Sequence, residues 1–163
     1  IWVKLDSRGP ALFRQLRSGK NRVAFTVYKF RTMSVDAPSD APTNAFKNSG
    51  SFITRSGKIM RKLSLDELPQ LFNVIKGDMS IVGPRPVVLK EKNLLKLRAL
   101  LGANDVKPGI TGWAQVNYPY GSNIEDTKQK LMYDLYYIKH WSIWLELKVV
   151  WKTILVVLGK KGI

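Results

Sequence analysis

Two adjacent carboxylates, Asp66 and Glu67, lie in the part of this sequence best suited to chemistry. They stand between Ser64 and Pro69 in the string SLDELP, at the start of a helix predicted over 64–76. Ser64 and Glu67 have the spacing of a capping box. Pro69 conflicts with that register because a proline inside a helix removes a backbone hydrogen bond, whereas a cap at Asp66 would place it in the tolerated first turn. Both registers put Asp66 beside a helix N-terminus.

A carboxylate in that position has two alternative roles. It can simply complement the helix dipole, which is a structural role. It can also stay ionised beside backbone N–H groups that hold a phosphate, and then attack phosphorus to form an acyl phosphate. In that second case the adjacent Glu67 would help Asp66 to hold Mg²⁺, which neutralises phosphate oxygens.

Phosphoryl transfer also requires cations, because charge resides on the equatorial oxygens of the phosphoryl group. Three basic residues stand in constrained positions. Lys29 ends a predicted strand, Arg61 precedes the carboxylates by five residues, and Arg85 lies between two prolines in GPRP. The flanking prolines restrict the backbone, so Arg85 would lose less freedom on binding an anion. The alternative is that these are solvated members of a set of 27 Lys and Arg.

The composition narrows the possible chemistry. The 163 residues carry a formal net charge of +15, which favours polyanionic partners: nucleic acid, an anionic membrane surface or phosphorylated substrates. The sequence has no Cys and one His, His140, which excludes disulfides, thiol catalysis, a multi-His metal site and a His-based triad. Catalysis would therefore depend on carboxylates, Lys, Arg, Tyr or hydroxyl groups.

Hydrophobic periodicity and turn residues predict a mainly helical α+β domain that covers 1–163, with a β-hairpin near the N-terminus. The hairpin arms are 11–17 and 22–30, and 55–63 is a short basic helix. The predicted loops are 34–52, 77–86 and 104–123, and the remaining helices are 87–102 and 125–158, with a break near Ser142.

The last predicted helix carries Trp141, Trp144 and Trp151 among aliphatic residues, with charges that make it a poor membrane span. A helix that lies in the membrane interface fits this pattern, because Trp favours headgroup depth and Lys extends towards anionic lipid. The predicted helix with the Leu and Lys residues of 90–101 could also lie in the membrane interface. An ordinary core helix is the alternative, since Trp is also a core residue.

Four strings in this sequence resemble the bacterial sugar transferase family, the monotopic phosphoglycosyl transferases. They are YKFRTM (28–33), LSLDELPQLFNVIKGDMSIVGPRP (63–86), KPGITGWAQV (107–116) and YDLYYIKHWS (133–142). Together they extend over nearly the whole chain in the family's order. The resemblance implies an enzyme that transfers a sugar-1-phosphate from a UDP-sugar to undecaprenyl or another polyprenyl phosphate, with release of UMP, at the start of capsule, exopolysaccharide or glycan assembly.

The resemblance also implies roles for individual residues. Asp66 would form a covalent phosphosugar intermediate, and Glu67 would help bind Mg²⁺. Lys29, Arg61 and Arg85 would contact phosphates, and Asp134 in YDLYY would support the site. The implied location is the cytoplasmic face of the bacterial inner membrane.

Two departures from the family pattern matter. The family has a membrane-inserted re-entrant hairpin before the first matching residues, and this chain begins after that point, so we expect a catalytic domain without that segment. The loop 117–130 also differs from the Asn-Gly-Arg type of sequence that many relatives carry. We expect this loop to influence the choice of sugar or nucleotide, which the sequence does not identify.

Two other functions compete with the enzyme. One is a basic nucleic-acid-binding module, which the charge favours, although the sequence has no zinc motif, RNA-binding sheet signature or obvious recognition helix. The other is a non-catalytic scaffold at the membrane surface. The presence of Asp66, Glu67 and Arg85 favours the enzyme over the scaffold.

Overall fold

The computed structural model describes residues 1–37, 49–118 and 124–159. Its helices are α1 (Trp2–Asp6), α2 (Arg55–Lys62), α3 (Leu71–Lys76), α4 (Lys92–Leu100), α5 (Trp113–Asn117), α6 (Ile124–Lys139) and α7 (Ile143–Leu158). Its strands are β1 (Leu12–Ser18), β2 (Ala24–Phe30), β3 (Ser80–Val82), β4 (Val87–Val88) and β5 (Gly109–Thr111). Short 3₁₀ segments cover Lys20–Arg22, Ser49–Phe52 and Leu65–Gln70. The predicted α+β class, mainly helical with an N-terminal hairpin, is confirmed.

The predicted hairpin is confirmed as the antiparallel pair β1–β2, which runs from Leu12 opposite Phe30 to Ser18 opposite Ala24. The short strand β4 adds to the other edge of β1, so the sheet order is β2-β1-β4. Directly opposite residues in such a pair project from the same face. Arg17 lies opposite Phe25, and Phe25 and Lys29 are an even number of residues apart on β2. Because successive side chains alternate between the two faces of a strand, Arg17 and Lys29 project from the same face.

The prediction of loops over 77–86 and 104–123 was partly wrong, because each range also contributes a strand to a second sheet. β3 and β5 pair in parallel, with Ser80 aligned to Gly109 and Val82 to Thr111. A Cβ on Gly109 would lie 2.1 Å from the backbone nitrogen of Gly83, so only glycine permits this approach. The short helix α5 follows β5 within the same predicted loop, of which residues 119–123 lie outside the described ranges.

The other predicted elements match with shifted boundaries. The basic helix 55–63 is α2, and the break near Ser142 separates α6 from α7, where Ser142 Oγ accepts a hydrogen bond from the Leu145 N–H at 3.2 Å. The predicted helix 87–102 shortens to α4 because Val87–Val88 form strand β4. Of the predicted loop 34–52, residues 38–48 lie outside the description and Ser49–Phe52 form a 3₁₀ turn.

Two small apolar clusters stabilise the domain. One consists of Phe25, Val27 and Met79 and holds the hairpin against the strand and helix that follow the carboxylates. The other consists of Val82, Tyr137 and Val149 and joins β3 to the two long C-terminal helices. Burial of such side chains is the main favourable contribution to folding. The site described below lies on the elements that these clusters hold in place.

Helix α7 buries one face and exposes an apolar stripe on the other. Val149 is fully buried, whereas the stripe leaves large side chains exposed at helical spacing: Ile143, Trp144, Leu147, Trp151, Ile154, Leu155 and Leu158. Exposed apolar patches of this kind mark interaction surfaces. Within the described ranges, none of the helices combines the length and the apolar character that crossing a membrane requires.

Candidate active site

The two carboxylates lie on a 3₁₀ segment, Leu65–Gln70, rather than at the start of an α-helix. The capping box predicted at Ser64 is wrong. This residue adopts the left-handed conformation, with φ of 53°, and its hydroxyl makes no hydrogen bond to the described residues. Pro69 explains the local structure, because it cannot donate the hydrogen bond to Leu65 that an α-helix would need. The α-helical hydrogen-bonding pattern becomes possible only beyond Pro69, and α3 begins at Leu71 and ends, as predicted, at a left-handed Gly77.

Asn73 on α3 fastens this segment to the hairpin. Its side chain is completely buried, donates from Nδ2 to the Thr26 carbonyl at 2.7 Å, and accepts at Oδ1 from the Tyr28 N–H at 3.2 Å. These two bonds occupy the free edge of β2 one residue before Lys29. They fix the distance between Lys29 on the strand and Glu67 on the 3₁₀ segment. The sequence analysis did not select Asn73. The feature that could have identified it is its position as a polar residue among the apolar residues of a helix.

Glu67 forms an ion cluster with two of the three predicted cations. Its Oε1 accepts a hydrogen bond from Lys29 Nζ and a second, at 3.2 Å, from Arg85 Nη2. The Glu67 side chain is 10% exposed and that of Arg85 is 42% exposed, so the carboxylate is enclosed while the guanidinium remains accessible. Burial alone would raise the pKa of Glu67, but the charges and hydrogen bonds of Arg85 and Lys29 outweigh it and lower the pKa to about 2. Glu67 is therefore ionised at neutral pH.

Arg17 is a further cation that the sequence analysis did not identify. It donates from Nη1 to the Pro86 carbonyl at 2.9 Å, and its other nitrogens contact Gln15 Oε1. Burial, with the nearby charge of Arg85, lowers the pKa of Arg17 to about 10, so it is still protonated at neutral pH. The alternation of β1 was the signal that could have found it, since Arg17 and Lys29 share one face of the hairpin.

Asp66 is partly buried, and two cations act on it. Burial raises the pKa of Asp66, the positive charges of Lys29 and Arg61 lower it, and the adjacent Glu67 raises it, with a net increase. Arg61 is held by a hydrogen bond from its Nε to Thr32 Oγ1 at 2.8 Å. Helix α2 approaches this close because Gly57 has no side chain: a Cβ there would lie 2.1 Å from the Thr32 carbonyl oxygen.

A shallow cleft opens beside the ion cluster. Arg17, Lys29, Glu67 and Arg85 line it together with Gln70 and backbone of the β5 region. Asp66 is not among the lining residues, although it directly precedes Glu67. Three cations around one carboxylate give the cleft a net positive charge, which suits an anionic group such as a phosphate.

The structure places Asp134 away from this cluster. Its Oδ2 accepts from Arg98 Nη1 at 2.7 Å, and both side chains are less than 10% exposed. Arg98 is the buried residue of α4, whereas Leu97 and Leu101 are exposed. The support of the site by Asp134 therefore stays a prediction. Arg98 on α4 precedes Asp134 on α6 by 36 residues, so their pairing leaves no local signal in the sequence.

For a metal at this site, the described residues offer the adjacent carboxylates Asp66 and Glu67 as donors. No group of three or more Asp, Glu or His side chains converges anywhere in the described part of the chain. Both hydrogen bonds to Glu67 end on Oε1, so Oε2 is not occupied by the cations. Mg²⁺ is typically bound by one or two carboxylates together with substrate phosphates, and Asp66 with Glu67 fits that pattern.

Comparison with known proteins identifies the family of this chain. The family model for bacterial sugar transferases matches residues 1–160. A UDP-N-acetylgalactosamine-undecaprenyl-phosphate N-acetylgalactosaminephosphotransferase of Aeromonas hydrophila is 43% identical over 99% of this chain and 38% of its own length. An undecaprenyl-phosphate glucose phosphotransferase of Komagataeibacter xylinus is 43% identical over 93% of this chain and 30% of its own length.

A UDP-glucose:undecaprenyl-phosphate glucose-1-phosphate transferase of Xanthomonas campestris pv. campestris is 42% identical over 99% of this chain and 34% of its own length. The chain thus spans about a third of the length of these relatives. The sugars in their names differ although their identities to this chain are nearly equal, so overall similarity does not select a sugar. The family model and the near-complete alignments together show that this chain belongs to the bacterial sugar transferase family.

Proposed function

We propose that this chain carries the catalytic centre that transfers a sugar-1-phosphate from a UDP-sugar to undecaprenyl phosphate and releases UMP. The observation that carries the proposal is the ion cluster of Glu67 with Lys29 and Arg85, next to Asp66 and open to a positively charged cleft. The names of the relatives describe this reaction, with glucose or N-acetylgalactosamine as the sugar.

In the first half of the reaction a carboxylate oxygen of Asp66 attacks the phosphorus that bears the sugar. A new bond forms between that oxygen and phosphorus, the bond from phosphorus to the bridging oxygen breaks, and UMP leaves with the bridging oxygen. In the second half an oxygen of undecaprenyl phosphate attacks the same phosphorus and breaks its bond to Asp66. The products are undecaprenyl diphosphosugar and a regenerated carboxylate, so one difficult displacement is divided into two.

The surrounding cations would stabilise the charge that develops on the phosphoryl oxygens. Arg85 suits this role best because it is exposed to the cleft while its guanidinium is anchored to Glu67. The positive charges of Lys29 and Arg61 lower the pKa of Asp66 and so offset part of the effect of burial, which raises it. Glu67 orients both Lys29 and Arg85, which makes it a positioning residue as well as a metal ligand.

Asp66 and Glu67 would also hold Mg²⁺. When bound, the ion would neutralise phosphate oxygens of the diphosphate and thereby lower the cost of bringing a second anion to the site. The low pKa of Glu67 supports this assignment, because a metal ligand must be deprotonated.

We also propose that the domain lies on the cytoplasmic face of the inner membrane, and the apolar stripe of α7 supports the membrane contact in this proposal. An amphipathic helix with exposed Trp144 and Trp151 suits the headgroup region, and the net charge of +15 favours an anionic surface. Binding there would bring the domain to the lipid-linked phosphate acceptor. We attribute the positive charge to these partners and not to nucleic acid. DNA binding that is tight and falls steeply with salt would contradict this attribution.

The experiment that tests the proposal is UMP release by the full-length protein from UDP-glucose and UDP-N-acetylgalactosamine, with undecaprenyl phosphate and Mg²⁺. We expect Asp66→Asn to abolish release, because an amide is a poor nucleophile. Asp36→Asn, which removes an exposed carboxylate, serves as the matched control and should keep full activity. Turnover near the wild-type rate in Asp66→Asn would exclude Asp66 as the nucleophile, whereas no UMP release by the wild-type protein would favour the non-catalytic scaffold.

A further inference from the structure

Helix α6 passes beside the segment that carries Arg85, and two contacts fix the face that it turns towards this segment. Tyr137 packs against Val82, and its Oη lies 3.4 Å from the Val82 carbonyl oxygen. Asp134 accepts a hydrogen bond from Arg98 at 2.7 Å, and Arg98 lines the same small cavity as Arg85. Asp134 and Tyr137 therefore mark the face of α6 that lies against the segment from β3 to β4.

Lys130 lies on the same face of α6, one helical turn before Asp134. Residues three and four positions apart are neighbours on a helix surface, so Lys130, Asp134 and Tyr137 form one row. The seven residues from Tyr137 back to Lys130 cover roughly 10 Å of helix at about 1.5 Å per residue. The three steps from Val82 to Arg85 cover about the same distance in extended chain. With Tyr137 at Val82, this spacing brings Lys130 level with Arg85.

The charges around Lys130 agree with this position. Burial lowers the pKa of Lys130, the negative charge of Asp126 raises it and the positive charge of Arg85 lowers it, with a net decrease. Asp126 is itself held by the Tyr118 hydroxyl, which donates to its Oδ1 at 3.0 Å. Two cations that lie near each other repel, and an anion bound between them would turn that repulsion into attraction.

Both cations can be reached from solvent. The Arg85 side chain is 42% exposed while its Nη2 bonds to Glu67, and Lys130 is partly exposed. Arg85 shares the single negative charge of Glu67 with Lys29, so the carboxylate compensates the charge of Arg85 only in part. Phosphoryl transfer spreads negative charge over several phosphate oxygens, which one guanidinium cannot contact together. A second cation beside Arg85 suits this need.

We propose that Lys130 is a further substrate-binding residue, which together with Arg85 holds a phosphate group of a substrate at the solvent-facing side of the ion cluster. Two substrates carry such a group, namely the nucleotide-sugar with its diphosphate and undecaprenyl phosphate. The inference rests on the proposed function, since it assumes these substrates. It adds to the site a cation from α6, an element to which none of the residue roles proposed above assigns a phosphate contact.

The two half-reactions of the full-length protein test this inference, with UDP-glucose and UDP-N-acetylgalactosamine as donors. UMP release is measured with Mg²⁺, first without undecaprenyl phosphate and then over a range of its concentrations. Lys130→Met removes the charge and keeps most of the side chain, whereas Lys130→Arg keeps the charge. Lys128→Met removes an exposed lysine of the same helix and is the matched control.

Loss of one charged contact to phosphate should slow the affected half-reaction of Lys130→Met by roughly ten- to hundredfold at low substrate concentration. Lys130→Arg should recover most of that loss, because the ammonium group binds phosphate as a point charge. Slower UMP release without undecaprenyl phosphate would assign the phosphate to the nucleotide-sugar. Slower turnover only in its presence, with a higher KM for undecaprenyl phosphate, would assign it to the acceptor.

The melting temperature separates a binding role from a structural one. It should stay within about 2 °C of the wild type in Lys130→Met, because the substitution also removes the repulsion from Arg85. Rates of both half-reactions within about twofold of the Lys128→Met control would overturn the inference, and so would a loss of rate that is accompanied by a lower melting temperature. A wild-type protein that releases no UMP from either UDP-sugar would instead overturn the proposed function.

Discussion

Replacement of Lys29 by Met removes one of the two cations that hold the buried carboxylate of Glu67. Breaking a buried ion pair by removing one partner typically costs about 3–5 kcal/mol, because the other charge remains buried. The Lys29 and Glu67 side chains are 20% and 10% exposed, and Arg85 still contacts Glu67 at 3.2 Å, so the lower end of that range applies. We expect a loss of about 3 kcal/mol, or a fall in melting temperature of about 6–12 °C for a chain of this size.

Urea unfolding of the full-length wild-type protein, of Lys29→Met and of two further variants measures this cost. Lys29→Met combined with Glu67→Gln should recover most of the lost stability, because no carboxylate is then left with only one cation. Lys62→Met, at an exposed position on α2, is the control and should stay within about 0.5 kcal/mol of the wild type. A Lys29→Met variant as stable as that control would refute the view that the ion cluster organises this site.

The same cluster predicts a dependence on pH. The pKa of Glu67 is about 2 in the folded protein against an ordinary 4.5, so its ionisation contributes stability that is fully present above pH 4.5 and is lost as the pH falls through about 2. Removal of Lys29 raises the pKa of Glu67, because burial remains while one cation is gone. The stability deficit of Lys29→Met should therefore shrink between pH 7 and pH 4, and a deficit that grows over this range would contradict the assignment.

Three further outcomes follow from the geometry. Asp134→Asn leaves Arg98 charged and buried, so unfolding experiments should show a loss of about 3–5 kcal/mol, and a loss below about 1 kcal/mol would show that the pair is solvated. Gly57→Ala forces α2 away from Thr32 and should cost about 1–3 kcal/mol and reduce UMP release by displacing Arg61; unchanged stability and activity would contradict the close packing. Because burial raises the pKa of Asp66, the acid limb of the pH–rate profile of the full-length enzyme should lie above the ordinary value of 3.8, and a limb at or below 3.8 would mean that the carboxylate is exposed.

The sequence predicts the site better than it predicts the strands that support it. Residue types and positions made Lys29, Glu67 and Arg85 candidates, the family resemblance implied their roles, and the structure brings them into contact. Strands β3 and β5 have three residues each and lie in glycine-rich turns, so no period-two pattern can develop within them. Their pairing depends on close backbone approach and not on side-chain alternation.

Long-range contacts explain the remaining differences. Arg17 and Lys29 lie on the same face of the hairpin, which can be recognised only when the register of the strands is known. The burial of Arg98 depends on a partner 36 residues away, which the local sequence does not indicate. The 3₁₀ segment at Leu65–Gln70 follows from Pro69, a local signal that the sequence analysis noted as a conflict without resolving it.

The central claim is that Asp66 becomes covalently bound to phosphorus, and intact-protein mass spectrometry tests it most directly. The full-length enzyme is mixed with Mg²⁺ and UDP-glucose or UDP-N-acetylgalactosamine in the absence of undecaprenyl phosphate, and its intact mass is measured. The protein is then digested, and the modified peptide is identified by tandem mass spectrometry. The account predicts a mass gain equal to one sugar phosphate on the peptide that contains residue 66, lost on addition of undecaprenyl phosphate and absent in Asp66→Asn. UMP release without any adduct, or an adduct on another residue, would contradict it.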